Sequence, residues 1–254
     1  MPELPEVETI RRDLLVLIGQ SIRQIETSFD IQNTAKIQNV SLRDIVRNGK
    51  YLTFIFENNW KITAHLRMTG QLLLSQNHEK YERARFVFDN SVLIFADMRK
   101  FGTIEISKNP QLKVGIDILS DDFTEKCFLN LVKGKKGSIK SIFLSQKLFS
   151  GIGNIYADEI CFDAGILPDR AMDSLNQIEK KKLYQSIKGV IELAVFRRGT
   201  SFSDYKDASG KRGTFQNQLM VYSRAGESCK VCGNTLNKTK VQQRTTVFCS
   251  YCQK

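Results

Sequence analysis

Four of the six cysteines stand near the C-terminal end as Cys229, Cys232, Cys249 and Cys252, in the spacing C-x2-C-x16-C-x2-C. Two Cys-x-x-Cys pairs can close four thiolates tetrahedrally around one Zn²⁺, and this spacing matches the ribbon class of structural zinc site. Four thiolates leave no coordination position for water, so a single structural Zn²⁺ is expected. A disulfide pairing is the competing reading. Cys127 and Cys161 stand alone in apolar surroundings and read as small buried residues.

At 254 residues the chain has room for one large or two to three small domains. Its 41% hydrophobic and 26% charged residues exclude global disorder. The longest apolar runs, Leu14 to Ile18 and Val92 to Ala96, fall far short of the roughly 18 residues of a spanning helix. Glu3, Glu6 and Glu8 precede the first basic residue, Arg11, which is the wrong order for a secretory signal, so a cytoplasmic protein is expected. The net charge of +11 calls for a polyanionic partner, nucleic acid ahead of an anionic membrane. Residues 199–254 hold nine basic and three acidic residues, so +6 of that charge lies in the last 56 positions.

Pro5 opens a helical pattern with Glu6 and Glu8 in its first turn, Val7, Ile10, Leu14 and Leu17 on one face, and Gly19 past its end. From Ser21 to about Ile106 short apolar or alternating runs follow: Ile22 to Ile25, Tyr51 to Phe56, Lys61 to Leu66, Ala84 to Phe88, Val92 to Phe95 and Thr103 to Ile106. Asn48-Gly49, Asn58-Asn59 and Asp89-Asn90 punctuate them, which predicts a β-sandwich or barrel-like sheet pair. After Asn109-Pro110 the texture turns helical to about Arg198. Gly151-Ile152-Gly153 separates helices predicted over Ile139 to Phe149 and Ile155 to Ala164, with Asn154 as N-cap and Gly165 and Pro168 as terminators. Residues 199–213 read as a mobile loop, and Gln218 to Tyr222 with the cysteine ribbon form a third unit.

A penultimate proline normally permits removal of the initiator methionine, which would leave Pro2 with a free secondary amine able to attack electrophilic carbon. Glu3 beside it could move protons. The same residues also suit a plain helix start, and Glu6 and Glu8 suit its dipole. Lys50, at a strand entrance, reads alone as a solvated lysine, and His65 as a structural histidine. Met68, Arg99 and Phe101 lie at strand ends and turns, where an apolar wedge with an arginine can fill the gap left by an extruded nucleotide. Asn154 follows a glycine turn at a helix N-terminus, with Lys135, Lys136 and Lys140 nearby, which suits a DNA phosphate as well as a plain cap. Arg244 lies at the tip of a hairpin inside the ribbon.

Together these segments strongly resemble the bacterial formamidopyrimidine-DNA glycosylase family over essentially the whole chain. The resemblance rests on Pro2 to Glu6, Asn48 to Leu52, His65 to Gly70, Asp97 to Gly102, Gly151 to Glu159 and the ribbon ending at Gln253. It implies an α+β multidomain fold: an N-terminal catalytic β-sandwich with a leading helix over 1–115, a helical helix-two-turn-helix domain over 116–218 carrying a lesion-capping loop 199–213, and a zinc ribbon over 219–254. It implies a bifunctional glycosylase and abasic-site lyase of base-excision repair, acting on double-stranded DNA with an oxidised purine or abasic site. Pro2 would be the Schiff-base nucleophile, Glu3 the proton donor, Lys50 a proton-transfer and phosphate-holding group, and Arg244 a participant in the second elimination. His65, Lys135 and Asn154 would anchor phosphates. Met68, Arg99 and Phe101 would fill the vacated stack, with Arg99 pairing to the orphaned cytosine.

Leu4 between Glu3 and Pro5, with the 199–213 loop, favours the purine enzyme over its sister, endonuclease VIII. Where many relatives carry Lys-His-Asp-His, this chain has Lys80, Tyr81, Glu82 and Arg83, so Tyr81 or Arg83 would have to take over a histidine's phosphate contact. A pyrimidine-specific glycosylase and a non-catalytic lesion-binding protein are the alternatives. A monomer without membrane contact is expected.

Overall fold

The computed structural model describes residues 1–202 and 205–254. The chain divides into two compact units, one of residues 1–112 and 195–216, the other of 113–194 and 217–254.

The first unit opens with α1 (Leu4–Leu14), whose Leu4, Val7, Ile10 and Leu14 are all buried. A single 3-10 turn, Leu15–Leu17, extends it to Gly19 at φ +87°, a conformation that glycine takes without steric cost. Eight strands follow: β1 (Ile22–Thr27), β2 (Leu42–Asn48), β3 (Tyr51–Phe56), β4 (Lys61–His65), β5 (Gly70–Leu74), β6 (Glu82–Phe88), β7 (Val92–Asp97) and β8 (Thr103–Ser107). They form two four-stranded antiparallel sheets ordered β1-β6-β7-β5 and β2-β3-β4-β8. The sandwich with a leading helix is thus present, with β2 and β5 added to the runs recognised in the sequence. Its core joins Val7, Ile10 and Leu14 of α1 to Leu52, Phe54 and Phe56 of one sheet and Phe86, Phe88 and Phe95 of the other. At roughly 1.5–3 kcal/mol per fully buried large apolar side chain, this shared core is what orients α1 on the sheets.

The second unit contains β9 (Ile116–Asp117), α2 (Glu125–Val132), α3 (Ile139–Leu144), β10 (Phe149–Ser150), α4 (Asn154–Ala164), most of α5 (Gln177–Phe196), and the hairpin β11 (Asn237–Val241) and β12 (Arg244–Phe248). Thr124 and Ser138 cap α2 and α3 with their side-chain oxygens. Phe123, Phe128, Phe143, Phe149 and Tyr184 form one aromatic cluster with ring centroids 5.4–6.2 Å apart.

Two sequence expectations need correcting here. The helix predicted over Ile139 to Phe149 ends at Leu144, and Phe149–Ser150 instead pair in parallel with Ile116–Asp117. Gln146, at φ +56°, turns the chain out of the helix, and its side chain bridges the Phe143 carbonyl and the Gly151 N–H. Asn154 is the first helical residue of α4 and not its cap; Gly153, in extended geometry, holds the cap position.

Candidate functional site

In the first unit the N-terminus is built into the core. Met1 is 52% exposed, whereas Pro2 is buried and Glu3 is 2% exposed. The Glu3 N–H donates to Glu6 Oε2 at 2.7 Å, and Glu6 Oε1 accepts the Thr200 N–H at 2.7 Å. Glu6 and Glu8, read from the sequence as residues that suit the dipole of α1, are therefore structural acceptors buried to 1% and 5% exposure. Glu8 takes Arg11 and Arg12 at 2.9 Å and Arg47 at 3.0 Å. Burial alone would raise the Glu8 carboxyl, but these guanidinium groups outweigh it and hold it at about 2.

Arg47 carries this network to the next candidate. Its Nη1 donates to the Gly49 carbonyl at 3.1 Å, inside the two-residue Gly49-Lys50 turn that joins paired Asn48 and Tyr51. Lys50 is 7% exposed, so the solvated-lysine reading does not hold. Tyr51 pairs with His65 across β3 and β4, their rings edge to face at 4.5 Å. Burial, with the charges of Arg67 and Lys50, pushes the His65 imidazolium down to about 4, so the ring is neutral at pH 7. Its Nδ1 accepts the Arg67 N–H at 3.0 Å, which places the ring proton on Nε2 as a donor.

Met68, Arg99 and Phe101 converge. Met68 is 43% and Phe101 52% exposed, and the Arg99 guanidinium lies 3.3 Å from the Met68 sulfur and 4.8 Å over the Phe101 ring. Tyr81 is exposed at φ +64° with the Lys80 ammonium 5.0 Å over its ring, whereas Arg83 is engaged by Ser28 and the Phe29 ring. Of the two, Tyr81 is the better placed for a surface contact. Among its described residues the 199–213 segment has no strand, and they are anchored: Tyr205 is buried with its hydroxyl on the Glu6 carbonyl, and buried Asp207 accepts from Arg198, Ser209 and Lys211. Ser203 and Asp204 of that loop lie outside the described residues.

In the second unit Lys135 is exposed. Asn154 starts α4, and its Oδ1 is a buried acceptor with no partner, at a helix end that offers N–H groups and positive dipole. Lys140 does not join them. It is fully buried, with its ammonium 2.6 Å from Asp158 and 3.1 Å from the Thr245 carbonyl. Burial pushes Asp158 up to about 6 while Lys140 and the Val247 N–H pull against it. The next residue, Glu159, is also raised by burial although it accepts the N–H groups of Met220, Val221 and Tyr222 at 2.9, 3.0 and 2.8 Å. Arg244 is exposed beside the Gln242-Gln243 turn, where both glutamines have positive φ.

The four ribbon cysteines fit a zinc ion. Their sulfurs all lie within 4.8 Å of one another, with Cys229 and Cys252 3.9 Å and Cys232 and Cys249 3.5 Å apart. A tetrahedron with Zn–S of about 2.3 Å has edges of about 3.8 Å. All are free thiols, so the disulfide reading fails, and Phe162, Val221, Leu236 and Val247 pack round them. This is a structural zinc site. Cys161 is fully buried, which drives its thiol far above the usual range and leaves it inert. Among the described residues no helix is long and apolar enough to cross a membrane.

Comparison with known proteins gives three family matches. Residues 1–104 match the formamidopyrimidine-DNA glycosylase N-terminal domain, 114–206 its H2TH domain, and 226–254 a zinc finger found in FPG and IleRS. The chain is 40% identical to the formamidopyrimidine-DNA glycosylase of Desulfitobacterium hafniense and 36% identical to that of Carboxydothermus hydrogenoformans, with both chains of each pair fully covered. Among solved structures, the MutM (FPG) protein of Thermus thermophilus superposes with a TM-score of 0.91 at 35% identity, covering 99% of this chain and 98% of that one. The wild-type Lactococcus lactis Fpg in complex with an N7-benzyl-Fapy-dG DNA gives a TM-score of 0.91 at 35% identity with full coverage of both.

Proposed function

The chain belongs to the formamidopyrimidine-DNA glycosylase family of base-excision repair, and on that premise we propose that it excises oxidised purines from duplex DNA and then cuts the strand as an abasic-site lyase. One observation carries this reading: Pro2 and Glu3 are buried at the head of α1, with the Glu3 backbone fixed by Glu6, while Met1 remains half exposed for removal. A terminus that serves only as a helix start has no need of this enclosure.

Once Met1 is removed, the Pro2 nitrogen is a secondary amine. It attacks the deoxyribose C1′, and the electrons of the C1′–N9 bond leave with the base, which is protonated as it departs. In this reading Glu3 supplies the protons for base departure or for opening of the sugar ring. The adduct is a Pro2–C1′ aminal; it loses the Pro2 N–H proton and its C1′–O4′ bond breaks, with O4′ taking a proton, to give the iminium. The iminium acidifies the C2′ protons, and loss of one expels the 3′ phosphate; the conjugated iminium that remains acidifies the C4′ proton, whose loss expels the 5′ phosphate, and hydrolysis of the C1′=N bond frees Pro2 and leaves a one-nucleotide gap. Lys50 takes part in proton transfer and holds a phosphate; Arg244 serves the second elimination. His65 acts as a neutral Nε2–H donor to phosphate, with Lys135 and Asn154 as further anchors. Met68, Arg99 and Phe101 occupy the space of the extruded base, with Arg99 toward the orphaned cytosine. The net charge of +11 supports the DNA partner, as do the complexes formed by the Lactococcus protein. We assign the domains to 1–115, 116–218 and 219–254, and the protein to the cytoplasm.

The test is borohydride reduction on a duplex with 8-oxoguanine opposite cytosine, followed by peptide mass mapping, on protein whose intact mass shows that Met1 is gone. A cross-link at Pro2 is expected. One at Lys50, or none, refutes the assignment. Faster cleavage of a dihydrouracil duplex would overturn the choice of purines.

A further inference from the structure

Asp97 ends β7 opposite Gly70 and is 1% exposed. Its carboxylate faces two surface segments at once. Oδ1 accepts the Thr69 hydroxyl at 2.5 Å and the Arg99 N–H at 3.2 Å; Oδ2 accepts the Gly102 N–H at 2.7 Å. The Thr69 oxygen in turn accepts the same Arg99 N–H at 3.2 Å. Thr69 follows Met68 and Gly102 follows Phe101. Each of the three side chains assigned to the vacated stack is thus at, or one residue from, a group that Asp97 holds.

Both segments are under conformational load. Arg67, before Met68, has φ +53°, and Lys100, between Arg99 and Phe101, has φ +59°, in the left-handed region that long side chains disfavour. Neither segment has slack against the sheet. A Cβ on Gly70 would meet the Leu66 carbonyl at 2.4 Å, and one on Gly102 would meet Phe95 at 2.7 Å and Asp97 Oδ2 at 3.1 Å. Strained tips persist only where the surroundings over-determine them, and a buried carboxylate accepting from both sides does that.

We propose that Asp97 is the positioning residue of the Met68–Arg99–Phe101 wedge, setting the two tips relative to each other so that the wedge is already formed before a base leaves the stack. The proposal rests on the function assigned above. It predicts a loss specific to substrates that must be extruded. A preformed abasic site has no base to displace and depends less on a pre-shaped wedge.

Asp97→Asn keeps the size but replaces one acceptor oxygen with an NH₂ group that opposes a backbone N–H. Single-turnover rates are compared on an 8-oxoguanine duplex and on an abasic duplex, with 2-aminopurine opposite the lesion reporting extrusion. The expected result is a ratio of the two rates at least tenfold lower than in the unaltered protein, with a slower 2-aminopurine phase. Equal losses on both duplexes, or no loss, overturn the proposal. Should Asp97→Asn fail to fold, Thr69→Val removes one donor from the wedge side alone and is expected to lower the ratio about threefold; an unchanged ratio refutes the idea. An unaltered protein that cleaves neither duplex refutes the glycosylase assignment itself and leaves a different signature from either variant.

Discussion

The Glu6 carboxylate accepts the Thr200 N–H at 2.7 Å, tying the first turn of α1 to backbone 194 positions away. Its other oxygen holds the Glu3 N–H, so one side chain registers the proposed nucleophile-bearing terminus against the start of the 199–213 loop. Glu6→Gln can satisfy only one of these donors and leaves the other facing an amide N–H. A stability loss of about 1–3 kcal/mol is expected by urea denaturation, with slower borohydride trapping. Gly199→Ala approaches the same contact from the other side, because its Cβ would stand 2.7 Å from Glu6 at φ +78°. Full stability in both variants would show that the bridge is dispensable.

Lys140 and Asp158 form an ion pair with almost no exposure on either side. Removing one partner strands the other charge, so Lys140→Met should cost about 3–5 kcal/mol. The double variant Lys140→Met, Asp158→Leu should be more stable than the single one. Denaturant midpoints of the three proteins decide this, and a double variant weaker than the single would contradict it.

His65 sets a pH dependence of defined sign. Its folded-state value of about 4 lies below the ordinary imidazole value of 6.5, so the unfolded chain binds a proton first as the pH falls. Stability attributable to His65 is therefore complete above about pH 6.5 and is lost between there and pH 4. The loss at pH 4.5 amounts to about 2–3 kcal/mol. Comparing the protein with His65→Gln at pH 7 and 4.5 isolates the effect, since other groups titrate equally in both. A constant difference between the two proteins would exclude it.

Zinc removal should release the β11–β12 hairpin, because the four buried apolar residues packed round the thiolates, Phe162, Val221, Leu236 and Val247, are too few to hold the ribbon folded without the ion. Cys249→Ser is expected to bind no stoichiometric zinc by atomic absorption and to lose duplex affinity in fluorescence anisotropy. Unchanged affinity at zero zinc would make the ribbon dispensable for DNA.

The spacing of four cysteines, the strand-and-turn rhythm before Ile106 and the glycine turn at 151–153 were readable because each follows from local chemistry. The buried polar groups were not. Glu8 and Arg47 are 39 positions apart, Lys140 and Asp158 are 18, and nothing in the composition around Lys140 separates a fully buried ammonium from a phosphate-binding one. Glu6 looked like an ordinary first-turn acid because its partner, Thr200, comes from another part of the chain. The one-residue error at Asn154 has a local cause: Gly153 takes the cap geometry that an asparagine usually takes. The convergence of Met68, Arg99 and Phe101 depended on the pairing of β5 with β7, which only the folded sheet supplies.

Asp158 and Glu159 are neighbours on α4, roughly 100° apart around its axis, and they grip different parts of the ribbon: one holds β12, the other the segment entering it. The C-terminal residues add a third attachment, with Gln253 donating to the Ile166 carbonyl and Leu167 to that of Lys254. Three separate attachments, from two neighbouring carboxylates and from the chain end, fasten the ribbon to α4 and to the residues just after it. Arg244 at the start of β12 and Asn154 at the head of α4 thus belong to one fastened body within the second unit.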